Sequence, residues 1–134
     1  MKNSSSNSYL VVSDLHLCDV ENHSNGWKYY KNEIFKFDDD FSDLVDEFMA
    51  TAGDDKLTLV LNGDIFDFDL VTDVPKSKRW KIDPRERIAG LRPSGDKSAW
   101  KLGRILEFHP IFIQTLGRYL AAGHKLVYVL GNHD

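Results

Sequence analysis

Three short apolar runs punctuate the chain: Tyr9-Leu-Val-Val-Ser13, Leu57-Thr-Leu-Val-Leu-Asn62 and Lys125-Leu-Val-Tyr-Val-Leu130. Each is rich in valine and leucine and gives way to polar residues or glycine, the pattern of strands buried in a parallel sheet. Between the first two, Phe41, Leu44, Val45, Phe48 and Met49 recur at spacings of three and four. That period predicts an amphipathic helix from about Asp40 to Thr51, with Gly53 as its stop. Before the third run, Ile105, Phe112, Ile113, Leu116 and Leu120 supply the inward stripe of a helical stretch over about 96–122, closed by Gly123. Pro110 has no backbone N–H to donate, so a kink or break is expected near His109. Between them, Pro75, Pro84 and Pro93 interrupt any period, and the segment reads as an insertion with at most one short helix near Pro84–Ala89.

Strand, helix, strand, helix, strand in that order implies an α/β fold: a parallel βαβαβ unit with right-handed crossovers. The 134 residues suffice for one domain. Residues 1–8, rich in Ser and Asn, read as a flexible N-terminus, and 9–134 as the domain, with the insertion at about 70–97. A hydrophobic share of 42% excludes wholesale disorder, and Cys18, alone of its kind, excludes a disulfide scaffold. No apolar run is long enough to span a bilayer and no basic-then-apolar leader opens the chain, so a cytoplasmic setting is expected.

Net charge is −4, which argues against general nucleic-acid affinity but hides an asymmetry. Residues 33–73 hold thirteen acids against Lys36 and Lys56, whereas 76–104 hold ten bases against Asp83, Glu86 and Asp96.

Chemistry gathers where the strands end. The first run leads into Asp14-Leu15-His16, the second into Gly63-Asp64-Ile65-Phe66-Asp67, the third into Gly131-Asn132-His133-Asp134. Ligand groups in parallel sheets lie just past the carboxyl ends of strands. Alternation along an extended chain puts Asp14 and His16 on one side and turns Leu15 to the core. Carboxylate oxygen with imidazole nitrogen suits Mn, Fe, Zn or Co. Asp64 has two oxygens and can bridge a second ion, and Asn132 adds a neutral carbonyl. Any one of these triplets is an ordinary loop, and Asp64 alone an ordinary helix cap. Three of them, each after a buried strand, argue for metal.

In order, these motifs resemble the first three signatures of the calcineurin-like metallophosphoesterase superfamily. The resemblance runs from about Tyr9 to Asp134, with Leu70–Lys97 matching nothing assignable. It implies a two-layer β-sandwich flanked by helices, of which this chain supplies the parallel half. It implies two divalent ions (Mn, Fe or Zn), with Asp14 and His16 on the first, Asp64 bridging and Asn132 on the second. His133 would lie by the scissile phosphate, oriented by Asp134, and Asp67 would steady the site from behind. The implied reaction is hydrolysis of a phosphomonoester, phosphodiester or pyrophosphate, with a metal-bridging hydroxide as nucleophile.

The family also uses later histidines in Gly-His and Gly-His-x-His settings. His23, His109 and His124 stand in no such motif: His23 lies in a polar loop, His109 inside helical sequence, and His124 ahead of the third strand. The resemblance therefore implies about half of a dinuclear site, a missing C-terminal half of the domain as partner, an exposed apolar face, and little activity at this length.

Arg79, Arg85 and Arg87 lie in the basic stretch beside Trp80. Either they form a cap that grips an anionic substrate, most simply a phosphorylated small molecule, or the stretch is a solvated insertion balancing the acidic half. Two other readings stand beside the hydrolase: a non-catalytic metal-binding or interaction module, and a nuclease of the same metal chemistry that would take nucleic acid.

Overall fold

A computed structural model describes residues 8–19, 37–53 and 55–134. His23 and most of the N-terminal stretch lie outside the described residues. Among the described residues the fold is mixed α/β, with a three-stranded parallel sheet and four helices.

Strands β1 (Ser8–Val12), β2 (Leu57–Asn62) and β3 (Lys125–Val129) lie in the order β1-β2-β3, so β2 is central. Leu59 stands opposite Leu10 on one side and Leu126 on the other, and this register makes all three strands end near one rim. Helix α1 (Asp38–Ala50) connects β1 to β2; α2 (Pro84–Ala89), α3 (Gly95–Phe108) and α4 (Pro110–Ala121) precede β3.

The core forms on one face of the sheet. Leu57, Leu59 and Leu61, alternating along β2, are buried with Phe41 and Val45 of α1, Ile105 of α3 and Phe112 and Tyr119 of α4. Phe41 and Phe112 meet ring to ring at 4.8 Å. The opposite face carries Tyr9 (61% exposed), Val11 (59%) and Val129 (43%), with Val60 and Val127 between them in register. The runs that read as buried on both sides are therefore covered on one. Continuous apolar residues do not say which face acquires helices.

The predicted break at His109 occurs, with α3 ending at Phe108 and α4 starting on Pro110. The His109 ring is buried: Nδ1 lies 2.9 Å from the Asp38 carboxylate, and Nε2 lies 2.9 Å from the Cys18 carbonyl. It thus ties the start of α1 to the loop after β1. The inward stripe of α4 differs from expectation. Phe112, Thr115 and Tyr119 are buried, whereas Ile113 and Leu120 are exposed. Positions 112, 115 and 119 share the face that meets α1, and that geometry outranks residue type. Leu44 of α1 is likewise exposed.

Helix α2 is built by local chemistry. Asp83 accepts from the Arg85 and Glu86 backbone N–H groups, while Glu86 reaches back to the Asp83 N–H, a reciprocal cap with Pro84 at the first position. Glu86 also takes the Arg92 N–H and the Lys97 ammonium. The basic stretch is thereby partly neutralised from within: Lys97–Glu86, Arg92–Asp83 and Arg104–Asp73 are ion pairs.

Candidate metal centre

Because the strands are parallel, their carboxyl ends and the loops that leave them share one rim, and backbone bonds lace these loops together. Asp14 N–H donates to Gly63 O (3.1 Å), His16 N–H to Asp64 O (3.0 Å), and Gly63 N–H to Val129 O (2.8 Å). Leu17, fully buried, pairs with Phe66 as a short bridge beyond the sheet. This anchor holds the 14–16 segment against the 63–67 segment.

The segment between β1 and Leu17 is not extended, as alternation predicted. Asp14 (φ 56°), His16 (φ 47°) and Asp64 (φ 51°) all have left-handed backbone, the only non-glycine residues to do so among those described. Such conformations cost on the order of 1–3 kcal/mol each and cluster where function constrains the chain. The loop nevertheless brings the predicted groups together. Ligand atoms of Asp14, His16 and Asp64 lie within 4.8 Å of one another, and those of His16, Asp67 and His133 form a second group sharing His16.

Two glycines make this convergence possible, for different reasons. Gly63 has φ +77°, a turn open to glycine. Gly131 is needed for close approach: a Cβ there would lie 2.1 Å from Asp64 Oδ1 and 2.2 Å from Asp64 N. Asp64 Oδ1 also accepts the His133 backbone N–H at 3.0 Å.

The His16 imidazole is held by Asp67, which is buried and lies close to the His133 ring as well. Its Oδ2 is 3.0 Å from His16 Nδ1 and 3.7 Å from His133 Nδ1, while Oδ1 accepts the Leu70 N–H. A histidine that donates from Nδ1 to a carboxylate keeps the Nε2 lone pair for an ion. The two rings pack edge to face with centres 5.2 Å apart.

Asp134, expected to orient His133, engages backbone with both oxygens. Its Oδ1 accepts the Phe66 N–H (2.7 Å) and its Oδ2 the Gly131 N–H (2.6 Å), so it staples two loops of the rim. Burial pushes this carboxyl up, but the Phe66 and Gly131 N–H groups and the Tyr128 hydroxyl outweigh it and hold it below the ordinary range. Burial, and then that same bond to Asp134, push the Tyr128 phenol up. The carboxylate nearest the His133 ring is Asp67's, and His133 Nδ1 is buried with no hydrogen-bond partner.

Asn132 is exposed between Gly131 and His133, the two residues that bear on Asp64. Arg85 and Arg87 are exposed on α2 and Arg79 lies over Trp80; none belongs to the ligand groups. His124 sits at the opposite end of the sheet, where Nδ1 accepts the Leu57 N–H. Cys18 is a buried loop thiol.

The hydropathy pattern missed Lys101. This lysine is buried on α3, and its ammonium donates to Phe68 O at 2.9 Å, while Phe68 N–H donates to His133 O. Its position one turn before buried Ile105 was the available signal.

The donor set fits a divalent cation. Among the described residues neither Asp14 nor Asp64 pairs with a lysine or arginine, so two converging carboxylates lack a neutralising partner. Like charges so placed repel unless a cation joins them. Comparison with known proteins gives no match, whether to family models, curated proteins or solved structures. No helix among the described residues is long and apolar enough to cross a membrane.

Proposed function

We propose that this chain is the metal-binding portion of a phosphoester hydrolase of the calcineurin-like type, with the parallel sheet as one layer of a β-sandwich. The observation that carries the reading is the meeting of Asp14, His16 and Asp64 within 4.8 Å, each on left-handed backbone. The motif resemblance supports it independently of any comparison. Asp14 and His16 would hold one divalent ion, Asp64 would be shared, and Asn132 would serve a second ion. Bound ions supply Lewis acidity and positive charge for a phosphoryl group. His133, half-buried at the rim beside His16, would meet the leaving oxygen through its other ring nitrogen, Nε2. Asp67 positions the His16 ring, and Asp134 fixes the loops around the site. A phosphorylated small molecule is the substrate class.

Titration with Mn²⁺ or Co²⁺, followed by calorimetry or the cobalt visible bands, tests this. The wild-type chain should bind, and Asp64→Asn should weaken binding about 10- to 100-fold or more. Equal metal affinity in the two proteins would refute the assignment.

A further inference from the structure

We propose that the cleft between the 73–80 loop and α3 is a binding site for a flat aromatic ring carrying an anionic group, the chemistry of a nucleoside monophosphate. Two adjoining cavities of about 640 and 560 Å³ share Arg79, Trp80 and Trp100 as walls. Either is in the size range of small-molecule sites. None of the Asp and His ligands of the metal centre lines them. Two of the chain's three tryptophans stand here.

The charges at the cleft sort into those already used and those left over. Arg104 is used: it pairs with Asp73 at 3.2 Å and Glu107 at 2.7 Å and lies over the Phe108 ring at 4.9 Å. It is a wall. Lys76 and Arg79 are exposed and pair with no carboxylate among the described residues; Arg79 rests 5.6 Å from the Trp80 ring centre. Asp96, in the first turn of α3, is the unmatched acid.

A nucleotide answers all three features together. Its base stacks on indole, its ribose diol donates to the Asp96 carboxylate, and its phosphate meets Lys76 and Arg79. A neutral sugar would leave both cations unanswered, and inorganic phosphate would leave the indoles bare. Helix α3 links the cleft to the rim of the sheet: Lys101, next to Trp100 in sequence, donates to the Phe68 carbonyl, and the Phe68 N–H donates to the His133 carbonyl. Occupancy needs no ion.

The test is titration of the full chain with AMP in excess EDTA, read by tryptophan fluorescence and checked by calorimetry. Saturable binding is expected, weakened about tenfold or more by Arg79→Glu and by Trp80→Ala. Both side chains are at least partly exposed, so circular dichroism should show an unchanged fold. Trp100 packs on the core and stays as it is. Adenosine alone and phosphate alone should each bind more weakly than AMP. Absence of saturable binding, equal affinity in wild type and both variants, or displacement of AMP by methyl glucoside would each overturn the proposal. Asp64→Asn should bind AMP like the wild type, so this result and the metal titration fail or succeed separately.

Discussion

Gly131→Ala asks most directly whether the three loop ends are packed for a purpose. The new methyl carbon would sit 2.1 Å from Asp64 Oδ1, 2.2 Å from Asp64 N and 2.8 Å from Asp64 Cγ. Two of these atoms belong to a side chain that could rotate, but the backbone nitrogen cannot, since the Asp64 carbonyl is bonded to His16 and the Gly131 N–H to Asp134. The loop must open by more than half an ångström or so, which for overpacking costs about 1–3 kcal/mol. In a chain this size that lowers Tm by roughly 4–12 °C. Rotation of Asp64 also takes its carboxylate away from Asp14 and His16, so Co²⁺ affinity should fall about 10- to 100-fold. Gly103→Ala is the matched control. Gly103 lies exposed inside α3 with nothing within 4 Å of a new Cβ, and alanine there should stabilise by about 0.5–1 kcal/mol. Thermal melts and cobalt titrations of the three proteins decide the matter. If Gly131→Ala melts and binds cobalt like the wild type, the close-packed rim has no bearing on ion binding.

Two further outcomes follow from the same contacts. Asp67→Asn should lower metal affinity about 10- to 100-fold by weakening its hold on the His16 imidazole, read by the same titration, and unchanged affinity would remove Asp67 from the site. Glu86 is held down from its ordinary 4.5 to about 2, chiefly by the Lys97 ammonium and then by the Arg92 and Asp83 N–H groups. Its contribution to stability is therefore full above pH 4.5 and is lost as the pH falls towards 2. Urea melts of Glu86→Gln should differ from wild type at pH 6 and converge in acid; a pH-independent difference would contradict this.

Legibility varied with the range of the interactions. The central strand is written in consecutive residues, Leu57–Asn62, and is readable to its ends; α2 falls where at most one short helix is expected, near Pro84–Ala89, and the structure adds the Asp83–Glu86 cap that builds it. Pro110 announced the break at His109 for the same reason. What depends on distant neighbours was hidden. Thr115 rather than Ile113 turns inward because α1 lies on that side, and Tyr9 and Val11 are bare because the helices cover the other face of the sheet. At the site, residue types and spacing identified Asp14, His16 and Asp64, which do converge, but not how the backbone achieves it. The resemblance makes Asp134 the partner of the histidine it follows, and nothing in the local sequence announces that its two oxygens accept the Phe66 and Gly131 N–H groups.

The twisted backbone at 14, 16 and 64 also filters the amino acids those positions accept, whatever chemistry occurs there. Besides glycine, the types that enter this region readily are Asn, Asp and His, and β-branched or bulky residues are all but barred. Two of those three types are strong ion ligands and the third is a weaker one. Conformational tolerance and coordination thus favour nearly the same short alphabet. A randomised library selected for folding alone should already return this rim enriched in metal-binding letters.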